Sequence, residues 1–390
     1  MEKLVYGGDG LARLDGRVVF APFVLPGERV RAEPERQKPG LVQARTLEVL
    51  EPAAQRVHPP CPVFGRCGGC HYQHAPYEYQ IAAKRTILVE ELRRLGKIEP
   101  PGEIEVAPSE PWGYRNRVQL HIEHGKLGYW GPRSHNLCAT TLCPIASPKI
   151  NQAIAAVSEM MRDGRWPHFV QSLEIFTDEE QVQLNVHETE RPVARRFFDW
   201  CGENIPGLVM GALDYRGEFR VSSNAFFQVN RFLLERLTET ALDGVEGDSA
   251  LDLYAGVGLF TVPMGRRFRQ VTAVESGGGA SRDLRFNLDR AGLAQVKTDS
   301  ATVEAFLVKA RRAPDFALVD PPRTGLGKMV VERLIALRPR QLTIVACDPA
   351  TLARDLAALL AAGYKVARMT MIDLFPQTFH LETVVSLRLD

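Results

Sequence analysis

The sequence predicts a Rossmann-like α/β domain at the C-terminus, preceded by a small N-terminal β-barrel and a β-rich central domain. Three observations carry this. From Ser249 onward, short apolar strands alternate with amphipathic helices. Several of those strands run straight into a polar residue, at Glu275, Asp320 and Cys347. Before them, residues 1–55 are punctuated by Gly7-Gly8-Asp9-Gly10, Asp15-Gly16, Pro26-Gly27 and Pro39-Gly40.

At 390 residues the chain exceeds one ordinary core, so two or three domains are expected. We divide it into 1–56 (barrel), 57–220 (cysteine array and β-rich centre) and 221–390 (α/β). The helix expected over 77–96 is a candidate to pack on the last of these. A net charge of +1 with 45% hydrophobic residues fits a globular protein and leaves nucleic-acid binding to local arginine pairs such as Arg93-Arg94 and Arg195-Arg196. No run is long enough to span a bilayer and the N-terminus lacks a leader's apolar core. We expect a monomer in the cytoplasm, away from membranes.

In the first segment the strands fall at 11–14, 18–24, 28–32 and 41–50. Several short strands in so small a unit favour closure, which removes exposed edges. Such a barrel serves either nucleic acid or as a structural cap. Next comes Cys61-Pro62-Val63-Phe64-Gly65-Arg66-Cys67-Gly68-Gly69-Cys70. Three thiols so close in a chain of seven cysteines point to a metal or cluster rather than to disulfides. The fourth ligand is open between Cys138 and Cys143, with His71 and His74 as outsiders, and zinc accepts the same donors. Ile81, Ile87, Leu88, Leu92 and Leu95 then recur at helical spacing up to Gly96. The stretch 104–213 alternates like strands, interrupted by one helix over 150–161.

In the last segment, Leu253-Tyr254-Ala255-Gly256-Val257-Gly258 is a strand end and a glycine turn, and Glu275 closes the next strand about twenty residues on. That pattern sets backbone amides and a carboxylate around a nucleotide-like ligand. Because the full dinucleotide fingerprint is missing, an adenosyl methyl donor fits better than a pyrophosphate cofactor. Asp320-Pro321-Pro322-Arg323 ends a third strand, where an aspartate can equally cap a helix. Cys347 ends a fourth and is followed at once by Asp348-Pro349. A free cysteine is most often a small buried hydrophobe. At a helix N-terminus, however, a lowered thiol pKa is expected, and Glu382 opens the last strand beside it.

These motifs resemble the RNA uridine-C5 methyltransferase family, in its iron–sulfur branch of the RumA type. The likeness runs through Phe227-Gln228-Val229-Asn230, the glycine loop, Asp320-Pro321-Pro322-Arg323 and Cys347-Asp348-Pro349. It implies a TRAM-like barrel and a 5-methyluridine product made from S-adenosylmethionine. It also implies a [4Fe-4S] cluster on Cys61, Cys67, Cys70 and Cys143, leaving Cys138 as an extra. By the same resemblance Cys347 is the nucleophile at uracil C6 and Glu382 the base at C5. Gln228, Tyr254, Gly256, Gly258, Glu275 and Asp320 fall in the donor pocket. Leu259, Thr302 and Asp348 depart from the family pattern. The cluster branch favours 23S ribosomal RNA, with transfer RNA as the alternative. From another class, the chain would be an iron–sulfur RNA-binding module without methyl transfer. A cytosine-C5 DNA enzyme fits less well, since no proline precedes Cys347.

Overall fold

The computed structural model describes residues 1–100 and 102–389. Strands Lys3–Leu4, Asp9–Leu14, Arg17–Pro22, Leu41–Glu51 and Arg29–Lys38 lie in that order in one N-terminal sheet. Among the described residues no ladder joins its two edges. The outer strand Arg29–Lys38 is charged at most positions and carries Pro34, which blunts it against pairing with another chain.

A six-stranded sheet follows, ordered Leu208–Val209, Val182–Thr189, Val170–Thr177, Arg117–Glu123, Lys126–Trp130 and Leu137–Ala139. Its alternation buries Val118, Leu120, Leu173 and Ile175 against Ile150, Ile154 and Val157 of the helix Pro148–Met160. Ser147 caps that helix by accepting the Ile150 N–H, with Pro148 at its first position.

The C-terminal sheet has eight strands: Lys297–Asp299, Gln270–Val274, Ser249–Leu253, Phe316–Val319, Gln341–Ala346, Glu382–Leu389, Tyr364–Ile372 and Glu105–Ala107. The first five are parallel, while Glu382–Leu389 runs antiparallel to both its neighbours. Strands such as Phe316–Val319 are buried at every position, as expected where both faces are covered. The strand order reverses between Ser249–Leu253 and Phe316–Val319, which opens a crevice at their carboxyl ends.

Two features differ from the sequence reading. Glu105–Ala107, expected in the central domain, pairs with Tyr364–Ile372 at the edge of the C-terminal sheet. The helix Tyr77–Glu91, extended by a π-helical turn Leu92–Gly96, shares a core with Leu352, Leu356 and Leu359 of the C-terminal helix Pro349–Ala361. Its buried face is Gln80, Lys84, Ile87 and Leu88, not the purely apolar stripe that the spacing suggested.

Candidate active site at the carboxyl end of the sheet

Cys347 leaves the strand Gln341–Ala346 just beyond the ladder pair Ala346↔Thr383, and Glu382 is the residue facing it across that ladder. Antiparallel insertion of the last strand therefore brings the two groups together. Burial, then the nearby Glu382 and Asp320, push the Cys347 thiol up to about 12, with Arg323 opposing them. The shift is upward, opposite to the lowered pKa expected from the helix N-terminus. Burial and the two carboxyl groups outweigh the helix N-terminus, whose first amides are in any case occupied: Asp348 Oδ1 accepts the Thr351 N–H at 2.8 Å, and Pro349 has no N–H to offer.

Glu382 is buried, and its carboxyl lies well above the usual range because of that burial and of Asp320, again against Arg323. Asp320 itself is pushed up to about 7 by burial and by Asp252, and Asp252 is raised to about 7 mainly by burial. Asp252 Oδ2 accepts the Thr261 hydroxyl at 2.5 Å, while its Oδ1 is buried without a partner. Four acidic groups thus crowd one crevice, faced by the guanidinium of the exposed Arg323.

On the other side of the crevice, Tyr254 adopts a left-handed φ of 64°, uncommon for a non-glycine residue and frequent at functional turns. Gly256 (φ 56°) has open space where a Cβ would stand, and a Cβ on Gly258 (φ 101°) would meet Leu284 Cδ1 at 2.9 Å. Glu275 accepts the Gly256 N–H at 2.9 Å and the Gly277 N–H at 2.5 Å, so one carboxylate ties both glycine segments together. Open space, glycines and a carboxylate make a cradle suited to the adenosyl donor. Gln228 is buried nearby in sequence to Asn230, whose amide donates to Ser109 Oγ and Leu374 O. Thr302 caps the helix Val303–Lys309, and Leu259 packs among apolar residues.

The cysteine array opens on a separate cavity of about 330 Å³ lined by Cys61, Cys67, Cys70 and Cys143. Burial pushes the Cys67 thiol up to about 11 and raises Cys70 and Cys143. Gly69 donates its N–H to Cys67 Sγ at 3.4 Å, a contact suited to a thiolate. A Cβ on Gly68 would stand 3.0 Å from Trp130 O, so only glycine lets the loop lie this close. Cys138 does not line the cavity, although its charge would act on Cys67. Among the described residues no group of three or more His, Cys, Asp or Glu is set to hold a metal ion. Neither is any helix long and apolar enough to cross a membrane.

Three residues at the site were given no role from sequence. The Tyr6 hydroxyl, from the turn between the first two strands of the N-terminal sheet, reaches Cys347 O at 3.5 Å, and its ring meets Phe379 edge-on at 5.4 Å. Arg323 approaches His380 at 3.5 Å, and burial followed by Arg323 holds His380 down to about 3. Arg323 was legible in its motif; Tyr6 offered only an aromatic beside two glycines.

A parallel sheet with a glycine cradle at its switch point, and a thiol and acids at neighbouring strand ends, defines an S-adenosylmethionine-dependent methyltransferase. Residues 208–389 match the profile of the tRNA (uracil-5-)-methyltransferase family. The chain is 32% identical to a protein of Aquifex aeolicus named as an uncharacterized RNA methyltransferase, covering 99% of this chain and 97% of that one. It is 34% identical to one of the same description from Streptomyces avermitilis, over 98% and 96% of the two chains. The crystal structure of Pyrococcus abyssi tRNA (uracil-54, C5)-methyltransferase in complex with S-adenosyl-L-homocysteine shares the fold, with a TM-score of 0.76 at 24% identity over 99% of each chain. The chain belongs to the RNA uracil-5 methyltransferase family.

Proposed function

We propose that this enzyme methylates C5 of uridine in 23S ribosomal RNA, using Cys347 as nucleophile and Glu382 as base. The observation that carries the reading is the placement of Cys347 and Glu382 on facing strand ends beside Asp320. Uracil C5 is a poor nucleophile until a thiolate adds at C6, so a single hard step becomes two easier ones. Glu382 then removes the C5 proton, and the C6–S electron pair returns to Cys347. S-adenosylmethionine supplies the methyl group. Gln228, Tyr254, Gly256, Gly258, Glu275 and Asp320 would hold it.

Cys61, Cys67, Cys70 and Cys143 would hold a [4Fe-4S] cluster, with zinc as the other occupant of the same thiols. The cluster would fix the cysteine loop and supply no step of methyl transfer. Segment 1–56, as a TRAM-like unit, and segment 57–220 would grip RNA so that the target base can be extruded. We place the enzyme in the cytoplasm as a monomer. The alternative substrate is transfer RNA, favoured by the activity named for the Pyrococcus abyssi protein.

The test is a covalent trap. Anaerobically purified protein and S-adenosylmethionine are mixed with ribosomal and transfer RNA fragments carrying 5-fluorouridine, whose C5 has no proton to lose. A denaturation-resistant complex with one RNA class, absent in Cys347→Ala, is expected. No complex with either RNA would sink the uridine assignment and leave an RNA-binding module.

A further inference from the structure

The loop that delivers Glu382 is held by the segment that follows the cysteine array. Gln377 O accepts the backbone N–H groups of both His71 (2.8 Å) and Tyr72 (3.0 Å), the two residues directly after Cys70. Gln377 is paired reciprocally with the Gln80 side chain: Gln80 Nε2 donates to Gln377 Oε1 at 2.9 Å, and the Gln377 backbone N–H donates to Gln80 Oε1 at 3.0 Å. Both glutamines are about 2% exposed or less. Gln377 also holds a left-handed φ of 68°, a conformation that persists only where surrounding contacts enforce it. Thr378 and His380, on the way to Glu382, line the cysteine cavity itself. Four hydrogen bonds therefore lock one strained turn, five residues before the candidate base: two to the residues just beyond a candidate cluster ligand and two to Gln80 of the helix that follows.

We propose that Gln80 and Gln377 are positioning residues for proton abstraction, and that this lock transmits the state of the cysteine centre to Glu382. The inference rests on the reading of Glu382 as base. A buried amide pair is suited to such a task because losing one member leaves the other unpaired in a dry interior, so the turn is either locked or displaced. The step affected comes after two bonds have formed: sulfur to C6, and the methyl to C5 as its bond to the donor sulfur breaks. Glu382 must then take the C5 proton so that the C6–S bond can break and its electron pair return to Cys347. Displacing Glu382 leaves bond formation intact and stalls release.

The experiment compares Gln80→Ala with wild-type protein, both purified anaerobically with matched circular dichroism and iron content. With 5-fluorouridine RNA, whose trapping needs no proton removal, adduct formation should stay within about twofold of wild type. With ordinary uridine RNA, turnover should fall on the order of tenfold to a hundredfold, the scale of a small misplacement of a reacting group. A denaturation-resistant RNA adduct should then accumulate at steady state. Gln80→Glu keeps the acceptor for the Gln377 N–H and should recover part of the rate. In hydrogen exchange, the peptide covering 373–382 should lose protection both in Gln80→Ala and in wild-type protein stripped of iron by a chelator. Wild-type turnover in Gln80→Ala, a parallel loss of trapping and turnover, or unchanged exchange after stripping would each overturn the proposal. If wild-type protein itself fails to trap 5-fluorouridine RNA, the uridine reading falls first, which separates the two failures.

Discussion

Lys84→Met would test how strongly the helix Tyr77–Glu91 is bound to the loop before the last strand. The Lys84 ammonium donates to Asp373 Oδ1 at 2.7 Å and to Phe375 O at 2.9 Å, and both side chains of the ion pair are 1% exposed. Tyr77 donates to the other Asp373 oxygen at 2.9 Å. Methionine matches the lysine stem but leaves Asp373 as a buried carboxylate facing one hydroxyl, with the Phe375 carbonyl unpaired. Breaking one side of a buried pair costs about 3–5 kcal/mol, because the remaining charge has lost its partner in a dry interior. Replacing both members, as Lys84→Met with Asp373→Leu, removes that charge and should cost clearly less. The coupling in the double-mutant cycle is then expected at about 2 kcal/mol or more. Urea unfolding followed by circular dichroism measures it. A single variant that costs under about 1 kcal/mol, below the range for a broken buried pair, would refute the reasoning. So would a double variant as damaged as the single one.

Asp252 gives a pH prediction. Its carboxyl is raised to about 7 in the folded chain, against about 3.9 when unfolded. The folded state thus keeps a proton that the unfolded state has lost, and stability declines as pH rises from about 4 to about 7. Asp252→Asn should flatten that decline by up to about 4 kcal/mol, leaving the slope of like sign due to Asp320; unfolding midpoints at both ends of the window check it, and an unchanged slope would contradict the assigned burial. Tyr6→Ala should slow the 5-fluorouridine adduct roughly tenfold, equivalent to about 1.4 kcal/mol, through loss of the ring on Phe379. Tyr6→Phe keeps the ring and loses only the hydroxyl's contacts with Cys347 O and Asp348, so it should cost less than Tyr6→Ala; adduct rates that fall equally in both would shift the weight onto the hydroxyl. Cys143→Ser should lose iron on purification while Cys138→Ser retains it, because only Cys143 lines the cavity; iron and sulfide analysis decides, and the reverse result would reassign the fourth ligand.

Much of the C-terminal half was legible because its physics is local. Parallel strands buried on both faces, such as Phe316–Val319, read as continuous apolar runs, and the residues at their carboxyl ends stand out by contrast. What was hidden depended on contacts between distant segments. Gln80 and Lys84 look like the polar face of an amphipathic helix; they are buried because Gln377 and Asp373, about 290 residues later in the chain, supply partners that no periodicity reveals. Glu105–Ala107 is too short to show which sheet it joins. Tyr6 becomes part of the site only because the N-terminal sheet lies beside the strand end at Cys347.

The thiol pKa was misread for a reason that bears on the proposed chemistry. The expectation weighed the helix N-terminus alone, whereas the thiol is partly buried and Glu382 and Asp320 stand beside it, with Asp348 already occupying that N-terminus. Such a pocket resists holding Cys347 and Glu382 charged together. The proposed reaction never requires it to do so. Once sulfur is bonded to C6 it is a neutral thioether, and Glu382 no longer faces a thiolate. Glu382 is then freer to ionise and accept the C5 proton, with Arg323 the cation that favours the charged form of both groups. Raised resting values and late proton abstraction are therefore two consequences of one arrangement, in which forming the first bond readies the second group.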